Sequence, residues 1–253
     1  VTDDEVLTLC RRATRAVAVS LASLPDWGLI QGSAHQHHSD LAADAVAVEI
    51  LTSGGLGVLS EESGVTRLDR PLLAVLDPLD GSSNAAQGLP WFACSLCVLD
   101  EAGPWVALVT NLATGVEYRA VRGAGAWKGE SRLANSGCTS LSEAIVGLSG
   151  LPPRHLGWRQ FRALGAAALD LCAVAEGVLD AWVDCSVDAH GVWDYLAGQL
   201  ICLEAGASVA EVHGRDLVVL DHAARRTPLA AASAELATGL LRAMTDMAGE
   251  PAR

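Results

Sequence analysis

An unbroken apolar run, Pro71 to Leu76, leads straight into Asp77-Pro78-Leu79-Asp80-Gly81-Ser82-Ser83-Asn84. A run of this length and composition predicts a buried β-strand. The fold must therefore bring two acids, three residues apart, to the rim of a core. Pro78 fixes φ between the carboxylates and Gly81 frees the backbone after them, so both acids can point at a common centre. Leu79 contributes a backbone carbonyl between them. A helix starting at Gly81 would turn its free N–H groups and positive dipole end toward that centre, where they can hold a phosphate. Hard oxygen ligands beside phosphate suggest Mg²⁺. The plainer reading is an aspartate capping an ordinary strand-to-helix turn, and D-x-x-D by itself favours it.

The surrounding patterns predict a layered mixed fold. Apolar residues at Val6, Leu7, Cys10, Ala13, Val17 and Leu21 mark an amphipathic helix, and a second is expected from about Leu41 to Leu51. Val58-Leu59-Ser60 reads as a short strand. A meander of strands follows: Phe92–Leu99, Trp105–Thr110, Val116–Val121 and Gly125–Lys128. Beyond Leu141–Gly150, helices expected at Trp158–Leu164, Ala166–Gly177 and Val192–Ala205 alternate with strands at Ala181–Val183, Ala207–Val212 and Leu229–Ala232. A last helix is expected over about Ala234–Met247. Residues 1–140 read as an α+β half and residues 141–253 as an α/β half, with no low-complexity linker between them.

The 253 residues carry 17 Lys+Arg against 30 Asp+Glu, a formal charge of −13, and Lys128 is the single lysine. Nucleic acid and anionic membranes demand clustered basic residues, so neither is an expected partner. No apolar stretch is long enough to span a bilayer, and the amino terminus is acidic, the reverse of a secretory leader. Seven cysteines in apolar contexts read as reduced thiols of a cytoplasmic protein. Cys94 and Cys97 form a C-x-x-C within an expected strand. Period-2 alternation sends them to opposite faces, which argues for core and against a zinc or redox site.

Two further features favour the functional reading of the Asp77–Asn84 segment. Ser60-Glu61-Glu62-Ser63 also follows a short strand and adds a carboxylate at its end. His190-Gly191-Val192-Trp193-Asp194 opens a helix, placing Asp194 near a helix start. That helix closes at Glu204-Ala205-Gly206, where Glu204 reads as structural.

Together these segments resemble the inositol monophosphatase superfamily. Leu76–Asn84 resembles its first signature, and Trp193-Asp194-Tyr195-Leu196-Ala197-Gly198 through Gly206 its second. Ser60-Glu61-Glu62 stands at the upstream acidic position. Arg162–Leu169 resembles the Gly-Ser/Thr-Ala stretch, and Asp180-Ala181-Trp182-Val183-Asp184 the substrate-facing strand. The resemblance implies an α/β/α/β/α sugar-phosphatase fold and a Mg²⁺-dependent, lithium-sensitive phosphomonoesterase, commonly a homodimer. By the same resemblance, Glu61, Asp77 and the Leu79 carbonyl hold one Mg²⁺, and Asp77, Asp80 and Asp194 a second. Glu61 and the Ser82 hydroxyl orient the attacking water. The backbone at Gly81, Ser82 and Ser83 binds phosphate, while Gly165, Ala166, Ala167 and Asp184 meet the substrate's hydroxyls, with Asp188 the rival to Asp184.

The implied substrate is a small phosphorylated metabolite, inositol monophosphate by default. Fructose-1,6-bisphosphate, histidinol phosphate, a nucleotide 3′-phosphate, or a non-catalytic regulatory role are the alternatives. The sequence departs from the family pattern before the second helix. There Gly32–Asp44 lacks the usual lysine and threonine and carries His35, His37 and His38, and a third metal is left open.

Overall fold

The computed structural model describes residues 1–24, 27–28, 38–186 and 188–248. In chain order the first elements are α1 (Asp3–Ser23), α2 (His38–Ser53), β1 (Gly57–Ser60), β2 (Gly64–Thr66), β3 (Leu73–Asp80), the short α3 (Ser82–Gln87) and β4 (Ala93–Asp100). Next come β5 (Gly103–Asn111), β6 (Glu117–Val121), β7 (Gly125–Lys128), β8 (Ser131–Arg132) and a 3-10 turn at Leu141–Glu143. The chain continues with β9 (Ile145–Ser149), β10 (Gln160–Arg162), α4 (Ala167–Glu176), β11 (Ala181–Asp184), α5 (Val192–Glu204), β12 (Ser208–Glu211), β13 (Pro228–Ala231) and α6 (Ala234–Ala248).

These elements stack in five layers. Helices α1 and α2 cover one face of an eight-stranded sheet of order β2-β1-β3-β4-β5-β6-β7-β8. Helices α4 and α5 fill the space between its other face and a five-stranded sheet of order β10-β9-β11-β13-β12. Helix α6 closes the far side. Because helices cover both faces of the first sheet, β3 and β4 are buried along almost their whole length. Their side chains still alternate: Ala74 and Leu76 pack toward α1 and α2, and Val75 toward α4 and α5. Cys94 and Cys97 divide in the same way, one in each core, and burial pushes the Cys94 thiol up to about 12. Both are core residues.

Two expectations need correction. The Trp158–Leu164 segment is not helical; it forms the edge strand β10, parallel to β9. Gly157 and Gly165 bracket it with positive φ, leaving too few residues to repay helix nucleation. The backbone N–H groups of Arg159 and Gln160 instead bond the Ala144 carbonyl. Nor does the chain leave its strand at Asp77. Strand β3 runs on to Asp80, and its pairing with β4 shifts register between Asp77 and Asp80, where Pro78 lacks an N–H for the ladder.

Leu196, on α5, has no exposed surface in the core between the sheets. Leu196→Ala should cost about 2–5 kcal/mol through lost transfer energy and a cavity, read as a lower denaturation midpoint at an unchanged m-value.

Candidate active site

Strand pairing builds the site. Strands β1 and β3 are parallel, with Leu59 opposite Val75 and Ser60 opposite Leu76. Leu59 and Val75 face α4 and α5. Ser60 faces the other way, and its Oγ donates to Asp44 Oδ1 of α2 at 2.5 Å. One residue further, Glu61, just past the end of β1, and Asp77, within β3, therefore stand level on neighbouring strands, on the α5 side. Helix α5 brings Asp194 in its first turn. One carboxylate oxygen from each of Glu61, Asp77 and Asp194 lies within 4.8 Å of the others. Asp80, at the end of β3, adjoins them.

The backbone secures one oxygen of each aspartate. Asp77 Oδ1 accepts from Leu79 N at 2.9 Å, and Asp80 Oδ2 from Ala168 N at 2.7 Å in the first turn of α4. Asp194 Oδ2 accepts from Gly191 N at 2.9 Å and lies 3.0 Å from His190 Nδ1. The capping role that sequence allowed for an aspartate is thus present, yet it occupies a single oxygen of each carboxylate. Among the described residues no Lys or Arg forms an ion pair with these acids, and Lys128 is engaged by Glu176 at 2.5 Å.

The electrostatic consequence is large. Burial, then the charges of Asp194 and Glu62, push the Glu61 carboxyl up to about 9. Burial and Asp194 push Asp80 up to about 8. Asp77 rises well above the carboxylate range, through burial first and then Glu61 and Asp80. Hard oxygen donors that repel one another, each with an uncommitted oxygen, fit a divalent cation such as Mg²⁺.

Beside the acids lies a pocket of about 230 Å³, walled by Asp80, Asp194, Gly165, Ala166, Ala167 and His190 among others. Asn84 Nδ2 ties α3 to this wall through the Leu164 carbonyl at 2.7 Å. At Gly81, whose φ is +85°, a Cβ would come within 3.0 Å of Ala166 Cβ and the Trp91 carbonyl oxygen. The glycine is needed both for the turn and for this close approach. Ser82 opens α3, and its hydroxyl has no hydrogen-bond partner among the described residues. Ser83 is exposed. A larger cleft of about 540 Å³ lies between α1 and the β5–β6 turn, away from all four acids.

The two rival substrate acids occupy different surroundings. Asp184 has no exposed surface and lies behind His190, 3.9 Å from its Nε2, with Oδ2 unpartnered. Burial raises its carboxyl to about 6. Asp188 is on the surface, ion-paired to Arg215 at 2.5 Å. Neither lines the pocket. Sequence reading gave no role to His190, which bridges Asp194 and Ser149 Oγ (2.9 Å). Nor did it give one to Asp170, clamped by the indole N–H groups of Trp91 (2.8 Å) and Trp182 (3.1 Å). The spacing of His190, four residues before Asp194 at a helix start, was the available signal. Glu204 is structural, accepting from Gly123 N and Gly125 N at 2.7 and 2.8 Å. His35 and His37 lie outside the described residues, and His38 begins α2.

The layered fold matches inositol monophosphatase structures, and residues 40–247 match the model of the inositol monophosphatase family. A fructose-1,6-bisphosphatase/inositol-1-monophosphatase of Archaeoglobus fulgidus is 32% identical over 226 residues, covering 84% of this chain and 87% of that protein. A Nus factor SuhB of Pasteurella multocida is 31% identical over 193 residues, or 69% and 71% of the two chains. A solved Pyrococcus horikoshii protein, described by its similarity to inositol-1 monophosphatase, superposes with a TM-score of 0.81. It is 25% identical, and the match covers 94% of this chain and 96% of that one. The chain belongs to the inositol monophosphatase family.

The raised carboxyls set a pH dependence. Burial and mutual repulsion push the Glu61 and Asp80 carboxyls up to about 9 and about 8, from ordinary values of 4.5 and 3.8. Between those limits the folded state binds more protons than the unfolded one, so stability falls as pH rises. A cation bound there would take the place of those protons, and its stabilisation would grow over the same window. Thermal unfolding with EDTA should show Tm dropping from about pH 5 to about pH 9, with Mg²⁺ raising Tm most at the alkaline end. A Mg²⁺ effect independent of pH would contradict the assignment.

Proposed function

We propose that the chain is a Mg²⁺-dependent phosphomonoesterase acting on a small sugar or cyclitol phosphate. The observation that carries this reading is the convergence of Glu61, Asp77 and Asp194 within 4.8 Å, next to a pocket that Asp194 and Asp80 line. Four acids brought together, with a single histidine beside them and no Lys or Arg ion pair among the described residues, repel one another once ionised, and a bound cation relieves that repulsion. The pocket, at about 230 Å³, is smaller than ordinary drug-sized sites, which favours a compact substrate.

In this reading Glu61, Asp77 and the Leu79 carbonyl hold one Mg²⁺, and Asp77, Asp80 and Asp194 a second. Bound there, the ions supply charge compensation for phosphoryl oxygens and lower the pKa of a neighbouring water. The chain's own groups do the rest. Glu61 and Ser82 Oγ orient the water, and Glu61 accepts its proton. The N–H groups of Gly81, Ser82 and Ser83 precede the first intrahelical bond of α3, from Ala85 N to the Gly81 carbonyl, and are available to phosphoryl oxygens. In-line attack forms one P–O bond as the ester P–O bond breaks. Gly165, Ala166 and Ala167 line the side from which the alcohol departs. Asp184, enclosed behind His190, acts on the substrate through that imidazole. Lithium sensitivity and a homodimer belong to the same proposal.

A partner-binding role without catalysis is the second reading, prompted by the Nus factor name of the Pasteurella relative. Phosphate release from a panel of phosphorylated metabolites, with and without Mg²⁺, separates the two: absence of metal-dependent turnover on every ester favours the second. Asp77→Asn should reduce turnover to background by removing the shared ligand, and near-native activity would refute the metal assignment. Ser82→Ala should lower kcat by about 10²–10⁴, the range for a positioned proton-transfer group, with KM little changed.

A further inference from the structure

The link between β12 and β13, residues 212–227, touches both arms that build the acidic cluster. His222 Nε2 lies 2.8 Å from the Glu61 carbonyl oxygen. That oxygen can only accept, so Nε2 carries the proton. The His222 ring packs on Trp193, the residue before Asp194, with centroids 4.7 Å apart and planes at 34°. The Arg225 guanidinium covers the same indole at 5.1 Å, and its Nη1 donates to the His222 carbonyl at 2.8 Å. One residue on, Arg226 N donates to the His190 carbonyl at 2.8 Å, and His190 N to the Arg226 carbonyl at 3.3 Å. A single loop thus grips the backbone of Glu61, the neighbour of Asp194, and the backbone of the histidine bonded to Asp194.

Geometry makes the Glu61 contact consequential. Glu61 stands just past the end of β1, where its N–H still bonds the Leu76 carbonyl of β3. Its own carbonyl is held by His222, from the other half of the chain. With both sides of the residue anchored, the Cα–Cβ direction is set, and with it the reach of the carboxylate toward Asp77 and Asp194. His222 does not line the pocket.

We propose that His222 is a positioning residue: its bond to the Glu61 carbonyl and its stack on Trp193 set the spacing of Glu61 and Asp194 for cation binding. The proposal rests on the metal reading above. Residues that orient metal ligands change metal affinity when removed, typically by about 10–100-fold. A residue that merely staples the loop would alter stability and leave affinity untouched.

The test titrates metal-stripped protein with Mn²⁺, following loss of the free-ion EPR signal, with Tm recorded alongside. His222→Ala should weaken Mn²⁺ binding by about tenfold or more. His222→Phe, which keeps an aromatic ring against Trp193 but has no donor, should also bind more weakly than wild type. His222→Gln, whose amide N–H can reach the same carbonyl, should recover most of the affinity. Wild-type affinity in His222→Phe overturns the proposal, as does affinity that fails to follow the donor while Tm shifts. Should His222→Ala not fold, the Phe and Gln pair decides. If wild-type protein binds no Mn²⁺, the metal reading itself fails and this proposal with it; if wild type binds and the variants match it, the positioning role alone fails.

Discussion

Parallel pairing of β1 with β3 is the constraint on which the rest depends. It brings Glu61 level with Asp77, and strand alternation turns both toward the layer that contains α5. A slip of one residue would turn Glu61 toward α2, into the place where Ser60 meets Asp44, and leave Asp77 facing Asp194 without its neighbour. The apolar layers enforce the register: Val58 and Leu76 belong to the core under α1 and α2, Leu59 and Val75 to the core between the sheets. Hydrophobic burial, which is non-directional, thereby acquires a direction where β1 ends and β3 runs on beside it.

The price of this placement is electrostatic. Acids gathered in a buried rim repel one another, and the fold manages the charge with backbone rather than with lysine or arginine. Asp80 reaches the start of α4, and Asp194 the start of its own α5, so two helix termini face the acids with their N–H groups. A basic side chain at the same place would neutralise the acids but would also compete for the oxygens. Backbone donors each take one oxygen and leave the other. The charge of −13 finds its local counterpart here: the chain carries few cations to begin with, and its one lysine is engaged with Glu176.

Local signals that involve few residues were legible. Alternation separated Cys94 from Cys97, α5 ended at Glu204-Ala205-Gly206, and the Asp77–Asn84 punctuation marked a change of register beside the acidic cluster. Errors arose where tertiary context overrode local pattern. Trp158–Leu164 has residues a helix tolerates, but the exposed edge of β9 offered its backbone a ladder, and β10 took it. The apolar run ended at Leu76, whereas β4 continued to pair with β3 beyond it through a shifted register. Resemblance alone favoured Asp184 over Asp188; their surroundings, His190 beside one and an ion pair with Arg215 at the other, are set by residues outside that local stretch.

The sequence by itself determined most of the longer helices and strands, the two apolar faces of each central strand, and the residue types able to hold a hard cation, because all three follow from periodicity and chemistry within a few residues. Tertiary structure alone decided which carboxylates meet and which of their oxygens stay uncommitted. It alone decided that Asp184 lies behind an imidazole, and that a loop from the second sheet reaches Glu61 and Trp193. These are contacts between residues far apart in the chain. Their distances depend on how five layers pack, a property of the assembled core that no short stretch of sequence contains.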